Sequence, residues 1–370
     1  MNSSIIKHFE GINDPREDNI RHKFIDIIFI TICAVICNAD NWQDIEMFGK
    51  TKYEWFKKYL ELPHGIPSHD TFERIFSLLE PHEFNKSFLL WIKAINPKIE
   101  EEIINIDGKT LRHSYDSVKG KQALHMISAW ANKAGITLGQ LKVADKTNEI
   151  TAIPELLDLL EIEGSIITID AMGTQKKIAA KIIEKKADYV LALKGNQGIL
   201  KEDVELYFQD AEENNFKIGL FDYHKTVEKG HGRIEIREYW ATGDIDWITY
   251  KDEWKGFTSI CMVRSERIIG NQSSIEERLY ISSLEPSAIK IGKAIREHWG
   301  IENSLHWVLD IAFNEDNCRK RKKNSAENFA ILRHAVLNLL KQEKSCKRSI
   351  AGKRLLAGWD TAYLERVIFS

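Results

Sequence analysis

The spacing of the apolar residues changes near residue 101, and this change constrains the fold of the 370-residue chain more than any other feature. Before it, apolar residues recur at helical spacing. That pattern predicts helices over 24–39 and 42–59, a third that starts at Ser68 as N-cap, and a fourth over 83–95. We therefore expect a helical N-terminal domain over residues 1–97.

After residue 101, short strands alternate with helices. The pattern predicts the order β-β-β-α-β-α-β, with strands at 103–106, 123–132, 136–143, 165–169 and 189–193 and helices at 150–160 and 176–186. Three closely linked strands are typical of an antiparallel meander, and the later alternation adds helices that pack on the sheet. We therefore expect an α/β fold with a mixed sheet, of which residues 98–199 form the first part.

The alternation stops after residue 199. The next segment holds one helix and several short strand candidates, among them 233–240, 257–263 and 278–281. The helical period then returns at 288, runs through 313, and resumes from 326 to 341. We interpret 200–287 as a β-rich insertion in the mixed-sheet domain and 288–370 as the second part of that domain.

The location of the protein is constrained by its cysteines and its apolar runs. The five cysteines are scattered without a C-x2-C pair or a disulfide framework, so we expect reduced thiols. The longest apolar run, 24–39, contains Asp26 and is shorter than the roughly 20 residues that a membrane span needs. The amino terminus lacks the basic and apolar regions of a signal peptide. These features predict a cytoplasmic protein that does not span a membrane.

Two aspartates follow directly after apolar strands. Asp107 comes after 103–106, and Asp170 comes after 165–169. Open sheets place their ligands outside the carboxyl ends of the strands, so two carboxylates at such ends can meet in one site. Either aspartate alone is more often a turn or cap residue, because Asp is common after strands.

A third carboxylate lies in the predicted helix over 288–313. Ile295, Glu302 and Leu309 are spaced by seven, which places Glu302 inside the apolar stripe of that helix. A carboxylate that faces the core needs a cation, because burying it alone is costly. The alternative is a residue at the edge of the stripe that reaches water or a lysine. Three carboxylates without cysteine favour Mg²⁺ or Mn²⁺ over zinc.

A different metal site would use His298, Glu302 and His306 from one helix face. Imidazole and carboxylate ligands suit zinc. The two histidines are separated by eight residues, however, and therefore by about 12 Å of helix rise. Because zinc holds its ligands at about 2 Å, we reject this arrangement as a single site.

Several unusual segments resemble the DDE transposases of bacterial insertion sequences, and in particular the H-repeat-associated transposase family. The resemblance extends over nearly the whole chain. It rests on NIDGKTLR (105–112), KTNEI (146–150), TIDAMG (168–173), YVLALKGNQ (189–197), GHGRIEIR (230–237), YISSL (280–284) and REHWGIEN (296–303), with DPR (14–16) and RHK (21–23) near the start. Together these segments are specific, although any one alone would be weak.

The resemblance implies a ribonuclease H-like core, interrupted by the β-rich insertion before the helix that carries the final glutamate. Asp107, Asp170 and Glu302 would be the catalytic residues and would hold two Mg²⁺ or Mn²⁺ ions. The implied reaction is cleavage of DNA at the ends of an insertion sequence, followed by strand transfer into target DNA. The implied partner is double-stranded DNA, both terminal inverted repeats and target. We expect a homodimer in the active complex and a bacterial, nucleoid-associated location.

The sequence departs from related cut-and-paste transposases in the last catalytic helix. Their Tyr-x2-Arg-x3-Glu-x6-Lys signature corresponds here to Ile295, His298, Glu302 and Leu309, so only the glutamate is kept. Phosphate contacts have to come from elsewhere, for example from Arg296. Whether excision proceeds through DNA hairpins stays open, as does the role of the N-terminal domain in DNA-end binding or dimerisation.

Two alternatives share the same carboxylates. One is a metal-dependent nuclease that cuts DNA without joining it, and the other is an inactive DNA-binding derivative. A small-molecule enzyme with a nucleotide cofactor is disfavoured, because no Gly-rich phosphate loop follows a strand.

Basic and aromatic residues near the motifs are candidate DNA contacts. Arg233, Glu235 and Arg237 would share one strand face, and the alternative there is a ladder of ion pairs. Trp240, Trp247 and Trp254 are candidates for stacking on an unpaired base, although such residues are more often core. The candidate DNA-binding residues are Lys109, Arg112, Lys194, His231, Arg233, Arg237, Arg296, His298, Arg319, Lys320 and Arg321.

The formal net charge of −3 excludes a uniformly basic nucleic-acid binder, but the charge is uneven. Residues 319–370 carry 13 Lys or Arg and 4 Asp or Glu, against 39 and 51 in the first 318 residues. Five consecutive cations, 319–323, follow the catalytic helix. This predicts a polarised molecule whose basic C-terminal segment lies near the carboxylates and faces phosphates.

Overall fold

The computed structural model describes residues 5–18, 20–95, 101–115, 120, 122–143, 148–217, 219–230 and 232–369. Within the described part of the first 97 residues, six helices form: α1 (Ile5–Phe9), α2 (Phe24–Ile36), α3 (Trp42–Thr51), α4 (Tyr53–Phe56), α5 (His69–Leu78) and α6 (Pro81–Ile95). Every residue of α2 except Ile25 is buried, including Asp26 and Thr31, which agrees with its largely apolar sequence. The predicted helix over 42–59 is broken at Lys52 into α3 and α4.

The described strands form one nine-stranded mixed sheet in the order β3-β2-β1-β4-β5-β9-β8-β7-β6. Within it, β1 is parallel to β4 and β4 to β5, and the other pairs are antiparallel. The predicted α/β class is therefore confirmed. The strands are β1 (Ile103–Leu111), β2 (Leu124–Ala131), β3 (Ile136–Val143), β4 (Ile166–Ile169), β5 (Asp188–Leu193), β6 (Asp222–Gly230), β7 (Arg233–Thr242), β8 (Ser259–Ile269) and β9 (Gln272–Ser282).

Helices connect the strands of the core. In chain order they are α7 (Glu149–Leu159) between β3 and β4, α8 (Lys176–Glu184) between β4 and β5, and α9 (Gly198–Glu213) after β5. α7 and α8 match the helices predicted from the alternating pattern, and α9 matches the helix predicted after it. The crossover from β4 to β5 passes through α8, and the longer connection from β1 to β4 contains β2, β3 and α7.

The β-rich insertion continues the core sheet. β9 pairs with β5 from Val190 opposite Ser282 to Leu193 opposite Leu279, so the insertion strands lie in register with the core. β6 was not predicted, and β8 and β9 are longer than predicted. Most of β6, the last residues of β8 and the first of β9 are exposed or half-buried, so these segments lack the apolar alternation that marks a half-buried strand.

β1 is also longer than predicted. Its parallel pairing with β4 ends at Ile106 opposite Ile169, but its antiparallel pairing with β2 continues to Leu111. Asp107 is therefore not a turn residue after the strand. It lies within β1, at the point where the strand loses its neighbour β4.

The catalytic helix predicted over 288–313 is a continuous helical segment with a change of pitch. It consists of α10 (Ala288–Ile301), a π-helical turn at Glu302–His306, and α11 (Trp307–Phe313). A π turn closes i→i+5 hydrogen bonds and so takes up one more residue than an α turn. The residues that follow it are consequently rotated relative to the heptad spacing of the sequence.

Three further helices complete the described chain: α12 (Ser325–Gln342), α13 (Ile350–Trp359) and α14 (Thr361–Phe369). α12 packs against α2, α5, α6 and β3. Asn338 of α12 bonds the backbone amide and carbonyl of Thr137 in β3, at 2.9 Å each. The N-terminal helices and the sheet thus share one hydrophobic core, and the domain boundaries stay predictions. Among the described residues, no helix is both long and apolar enough to cross a membrane.

Gly300 sets how closely α10 approaches the edge of β1 and β2. A Cβ at Gly300 would lie 2.0 Å from Asn132 Oδ1, and the Asn132 amide is itself bonded to Ile103 O. Helix propensity alone favours alanine over glycine by about 1 kcal/mol. We nevertheless expect Gly300→Ala to lower the free energy of unfolding in urea by roughly 1–3 kcal/mol, because the clash displaces α10.

The matched control is Gly358→Ala in α13. Its Cβ would meet nothing closer than Cys37 O at 3.6 Å. We expect this variant to be as stable as the parent or slightly more so. A Gly300→Ala protein that also matches the parent would contradict the packing of α10 on the sheet.

Candidate active site

The strand register brings the two aspartates together. Ile106 lies opposite Ile169 in the parallel pair of β1 and β4, so the next residues, Asp107 and Asp170, extend from neighbouring strands. Asp107 Oδ1 accepts a hydrogen bond from the Gly108 amide (2.9 Å). Asp170 Oδ1 accepts from the amides of Met172 (3.1 Å) and Gly173 (3.3 Å), which fixes its orientation. Both carboxylates line one cavity of about 560 Å³.

Glu302 lines the same cavity from the opposite side. The prediction that it faces the core is wrong, since its side chain is 58% exposed. Glu302 begins the π turn and lines the cavity, whereas Leu305 and His306 of the same turn are buried. Glu302 thus lies at the exposed edge of the apolar stripe, where it contacts His306 rather than a lysine.

His306 completes this cluster. Its Nδ1 lies 3.0 Å from Glu302 Oε2 and 3.6 Å from Asp107 Oδ2, and its ring is almost fully buried. Ligand atoms of Asp107, Glu302 and His306 all lie within 4.8 Å of one another. Asp170 is outside that close group but lines the cavity beside Asp107. The arrangement is a concave group of hard oxygen donors with one imidazole nitrogen.

The electrostatics of the cluster favour a proton or a cation. Burial raises the pKa of Asp107 to about 6, and the negative charges of Asp170 and Glu302 act in the same direction, against the opposing effect of His306. The hydrogen bond from His306 lowers the pKa of Glu302. Asp107 is therefore the carboxylate that gains most from a nearby positive charge.

His306 was discarded with the zinc site, and the structure shows why that site fails and why His306 still matters. His298 lines the same cavity but is outside the close group of Asp107, Glu302 and His306, and its Nδ1 lies 2.9 Å from Thr168 Oγ1. His306 instead reaches the carboxylates through the π turn. The available signal was a histidine four residues after Glu302, and a residue at that spacing lies on the same helix face.

His125 and Glu149 form a buried pair on the face of β1 opposite to Asp107. His125 Nε2 lies 2.6 Å from Glu149 Oε1, and His125 Nδ1 lies 2.8 Å from Thr110 Oγ1. A Cβ at Gly108 would lie 2.5 Å from Glu149 Oε1, so only glycine fits beside Asp107. This close packing accounts for Gly108 in the segment NIDGKTLR and for Glu149 in the segment KTNEI. Neither residue had been assigned a role from the sequence.

Lys109, which was predicted to bind phosphate, is instead ion-paired inside the protein. Its ammonium contacts Asp310, Glu315 Oε2 (3.2 Å) and Asp316 Oδ1 (3.5 Å), and its side chain is 11% exposed. Burial opposes its charge, but Glu315 and the two aspartates prevail and raise the pKa of Lys109. Its charge is thus neutralised by three carboxylates, and it holds β1 to α11 and the turn that follows.

The cations of the insertion form ion pairs, which was the alternative to a DNA-binding face. Arg233 Nε lies 2.8 Å from Glu235, and Arg237 contacts both Glu235 and Glu228 (3.0 Å). Arg296 of α10 also contacts Glu228 (3.2 Å), which links the insertion to the catalytic helix. These arginines are therefore compensated within the chain.

Lys194, Arg112 and His231 are the remaining isolated residues predicted to bind DNA. Lys194 is exposed and lines the carboxylate cavity. Arg112 is 79% exposed and lies 3.3 Å from Asp316. His231 lies outside the described residues. Lys194 is therefore the predicted cation best placed to meet a phosphate in the cavity.

The basic run packs largely against the protein. Lys320 lies 3.7 Å from the centre of the Phe329 ring and 4.8 Å from that of Trp42, and burial lowers its pKa to about 8. Arg321 donates to His113 O (3.3 Å), just beyond the end of β1. Arg319 is exposed. That this run faces DNA stays a prediction, and Lys320 is better explained as a contact with the N-terminal helices.

Two of the three candidate stacking tryptophans belong to the core. Trp240 and Trp254 are buried, at 8% and 2% exposure. Trp247 is partly exposed and stacks on Tyr207, with 4.8 Å between ring centres. Trp299, which lines the carboxylate cavity and is 44% exposed, lies closer to the candidate chemistry than any of these three.

Comparisons with known proteins agree with this geometry. Residues 98–339 match the family described as Transposase DDE domain, and residues 6–92 match the family described as DDE_Tnp_1-associated. The chain therefore belongs to the DDE transposases, whose catalytic domain is ribonuclease H-like and uses divalent metal ions. Asp107, Asp170 and Glu302 lie inside the matched region.

Similar proteins show to which group of DDE transposases the chain belongs. The chain is 44% identical over 372 residues to "Putative transposase YncI" of Escherichia coli O157:H7, covering 99% of this chain and 95% of that one. It is 43% identical over 370 residues to "H repeat-associated putative transposase YhhI" of Escherichia coli strain K12, covering 98% and 97%. The predicted resemblance to H-repeat-associated transposases is confirmed.

The raised pKa of Asp107 predicts a pH-dependent cost in stability. With its pKa near 6 in the folded protein and about 3.9 in the unfolded chain, Asp107 binds its proton more tightly when folded. The cost is therefore absent below about pH 4, grows as pH rises to 6, and is fully present at pH 7. We expect Asp107→Asn to raise the metal-free free energy of unfolding by roughly 1–3 kcal/mol at pH 7 and by little at pH 4.

Chemical unfolding in EDTA at both pH values measures this difference. Asp70→Asn, whose carboxylate is 83% exposed, is the control and should show no such gain. An Asp107→Asn protein that is no more stable than the parent at pH 7 would mean that Asp107 is not strained by burial and by its acidic neighbours.

Proposed function

We propose that the protein cleaves DNA at the ends of an insertion sequence and transfers the freed strand into target DNA in a metal-dependent reaction. One observation carries this proposal: the register of β1 and β4 aligns Asp107 with Asp170, and the π turn brings Glu302 and His306 to Asp107. The family membership supports the same chemistry. The three catalytic residues predicted from the sequence are retained in the proposal.

The donor set fits hard divalent ions. Three carboxylates favour Mg²⁺ or Mn²⁺, and the nitrogen of His306 adds a donor that suits Mn²⁺ better than Mg²⁺. We propose that Asp107, Asp170, Glu302 and His306 Nδ1 would hold the divalent ions, with Asp107 as the central carboxylate between Asp170 and Glu302. Two such ions activate the attacking oxygen and stabilise the leaving oxygen of a phosphodiester.

The protein residues contribute charge and position. Asp107 has to be ionised to bind a cation, and a bound cation compensates the burial that raises its pKa. The backbone amides of Met172 and Gly173 hold Asp170 towards the cavity. Lys194, exposed at the cavity wall, is positioned to contact the scissile phosphate.

The proposed reaction has two steps that balance without a redox partner. Water attacks the phosphodiester at the element end, breaks the P–O3′ bond, and leaves a 3′-hydroxyl and a 5′-phosphate. That 3′-hydroxyl then attacks a target phosphodiester, forms a new P–O3′ bond, and releases a target 3′-hydroxyl. The substrates are double-stranded terminal repeats and target DNA. Because an element has two ends, we include a homodimer in the proposal.

We expect Asp107→Ala, Asp170→Ala and Glu302→Ala each to abolish Mg²⁺- or Mn²⁺-dependent cleavage of labelled end-containing duplexes, a loss of at least about a thousandfold. Glu297→Gln, from the same helix as Glu302, is the control and should retain activity. Thermal unfolding confirms that each variant is folded.

The same assay separates the alternatives. Cleaved ends without strand-transfer products would indicate a nuclease that does not join. End binding without cleavage by the parent protein would indicate an inactive derivative. Full cleavage by any one of the three alanine variants would exclude that residue from the site.

A further inference from the structure

A groove of about 590 Å³ lies beside α11, separate from the carboxylate cavity. One wall is formed by Trp307 and Ile311 of α11, which are 60% and 63% exposed. The other is formed by the loop between α12 and α13 and by the first residues of α13. Large apolar side chains this exposed usually mark a surface that binds something.

The rim of the groove carries positive charge, while Glu343 of its lining is buried and lies 3.7 Å from Lys353. Lys344, Lys347 and Arg348 are exposed on the loop, and none of them forms an ion pair with any residue in the described part of the chain. This differs from the arginines of the insertion, which are paired with glutamates. Lys341 lies deeper in the wall, and burial, reinforced by the charges of Lys344 and Lys353, lowers its pKa to about 8. The groove thus fits an anionic ligand.

The groove and the carboxylate cavity share one helix. Trp307 follows His306 directly, and Ile311 lies one turn further on. From Glu302 to Ile311 the helix rises about 14 Å. Trp299, Asn303, Trp307 and Ile311 form an exposed stripe that connects the two places. A ligand long enough to lie in both would have to follow this stripe.

We propose that this groove binds the sugar–phosphate backbone of the same DNA duplex that is cleaved at the carboxylates. Lys344, Lys347 and Arg348 would contact phosphates, and Trp307 with Ile311 would pack against deoxyribose. Because each strand of B-DNA carries one phosphate per 3.4 Å, a 14 Å offset places the Ile311 end of the groove about four base pairs from the scissile phosphate. This inference rests on the proposed function and extends it to a second contact region.

The charge favours DNA over a protein partner. Three neighbouring cations without acidic partners match a regular row of phosphates, and the stripe leads directly to the proposed scissile position. An acidic protein surface or a second copy of this chain would need no continuity with the carboxylates. The test below would also detect binding of one of these alternative partners.

The test removes the three charges together in Lys344→Gln/Lys347→Gln/Arg348→Gln. Binding to a fluorescent duplex that contains the element end is measured by anisotropy in EDTA, so that no chemistry takes part. We expect the affinity to fall by about 10- to 100-fold, and the slope of log Kd against log salt to decrease by about 2 to 3. Hydroxyl-radical footprinting should show lost protection about four base pairs from the cleavage position.

The charge-matched control is Lys176→Gln/Lys177→Gln/Lys186→Gln, at and just beyond the ends of α8, which should change affinity by less than about twofold. Arg348→Gln alone, at an exposed position, gives a second variant with a smaller loss in the same direction. Unchanged affinity and footprint in the triple variant would overturn the proposal. So would unchanged DNA binding with an altered oligomeric mass, which would assign the groove to a second copy. Because binding is measured without metal, these outcomes are independent of whether the parent protein cleaves DNA.

Discussion

The candidate site depends on where the parallel pairing of β1 and β4 stops. β4 ends at Ile169, opposite Ile106, while β1 continues along β2 for five more residues. Asp107 is therefore rigidly held in a strand and yet open on the side that β4 has left. Asp170 leaves β4 at the same level. A shift of one residue in this register would turn one of the two carboxylates to the opposite face of the sheet.

The second constraint is the π turn in the catalytic helix. Glu302 keeps its heptad relation to Ile295, which lines the same cavity, and the turn changes the helical phase only of the residues that follow. Buried His306, at the end of the turn, contacts Glu302 and Asp107. π turns inside α-helices often occur at functional sites, and here the turn supplies two of the donors. The result is a strongly acidic pocket that gains stability from a cation.

The sequence singled out Asp107, Asp170 and Glu302 because each has a local signature: an apolar strand before each Asp, and helical periodicity around Glu302. The α/β class followed from the order of the elements. Other features depend on partners distant in sequence. Lys109 is neutralised by Asp310, Glu315 and Asp316, about 200 residues away, and no pattern near Lys109 reveals this.

The same limit applies to the insertion and to His306. β6 has too few buried residues to show strand periodicity, so only its pairing with β7 identifies it. Glu235, the ion-pair partner of Arg233 and Arg237, lies two residues from each along β7, whereas the contact of Arg237 with Glu228 is visible only once β6 and β7 are paired. His306 was judged on ideal helix geometry as the partner of His298, whereas the π turn makes it a partner of Glu302 and Asp107.

The central claim is that Asp107, Asp170, Glu302 and His306 together hold divalent ions. Anomalous diffraction at the manganese edge, from crystals of the protein with Mn²⁺ and end DNA, tests it most directly. The claim predicts two peaks that share Asp107, one of them also bound by Asp170 and the other by Glu302 and His306 Nδ1. Manganese found only elsewhere, for example among Asp310, Glu315 and Asp316, would contradict it.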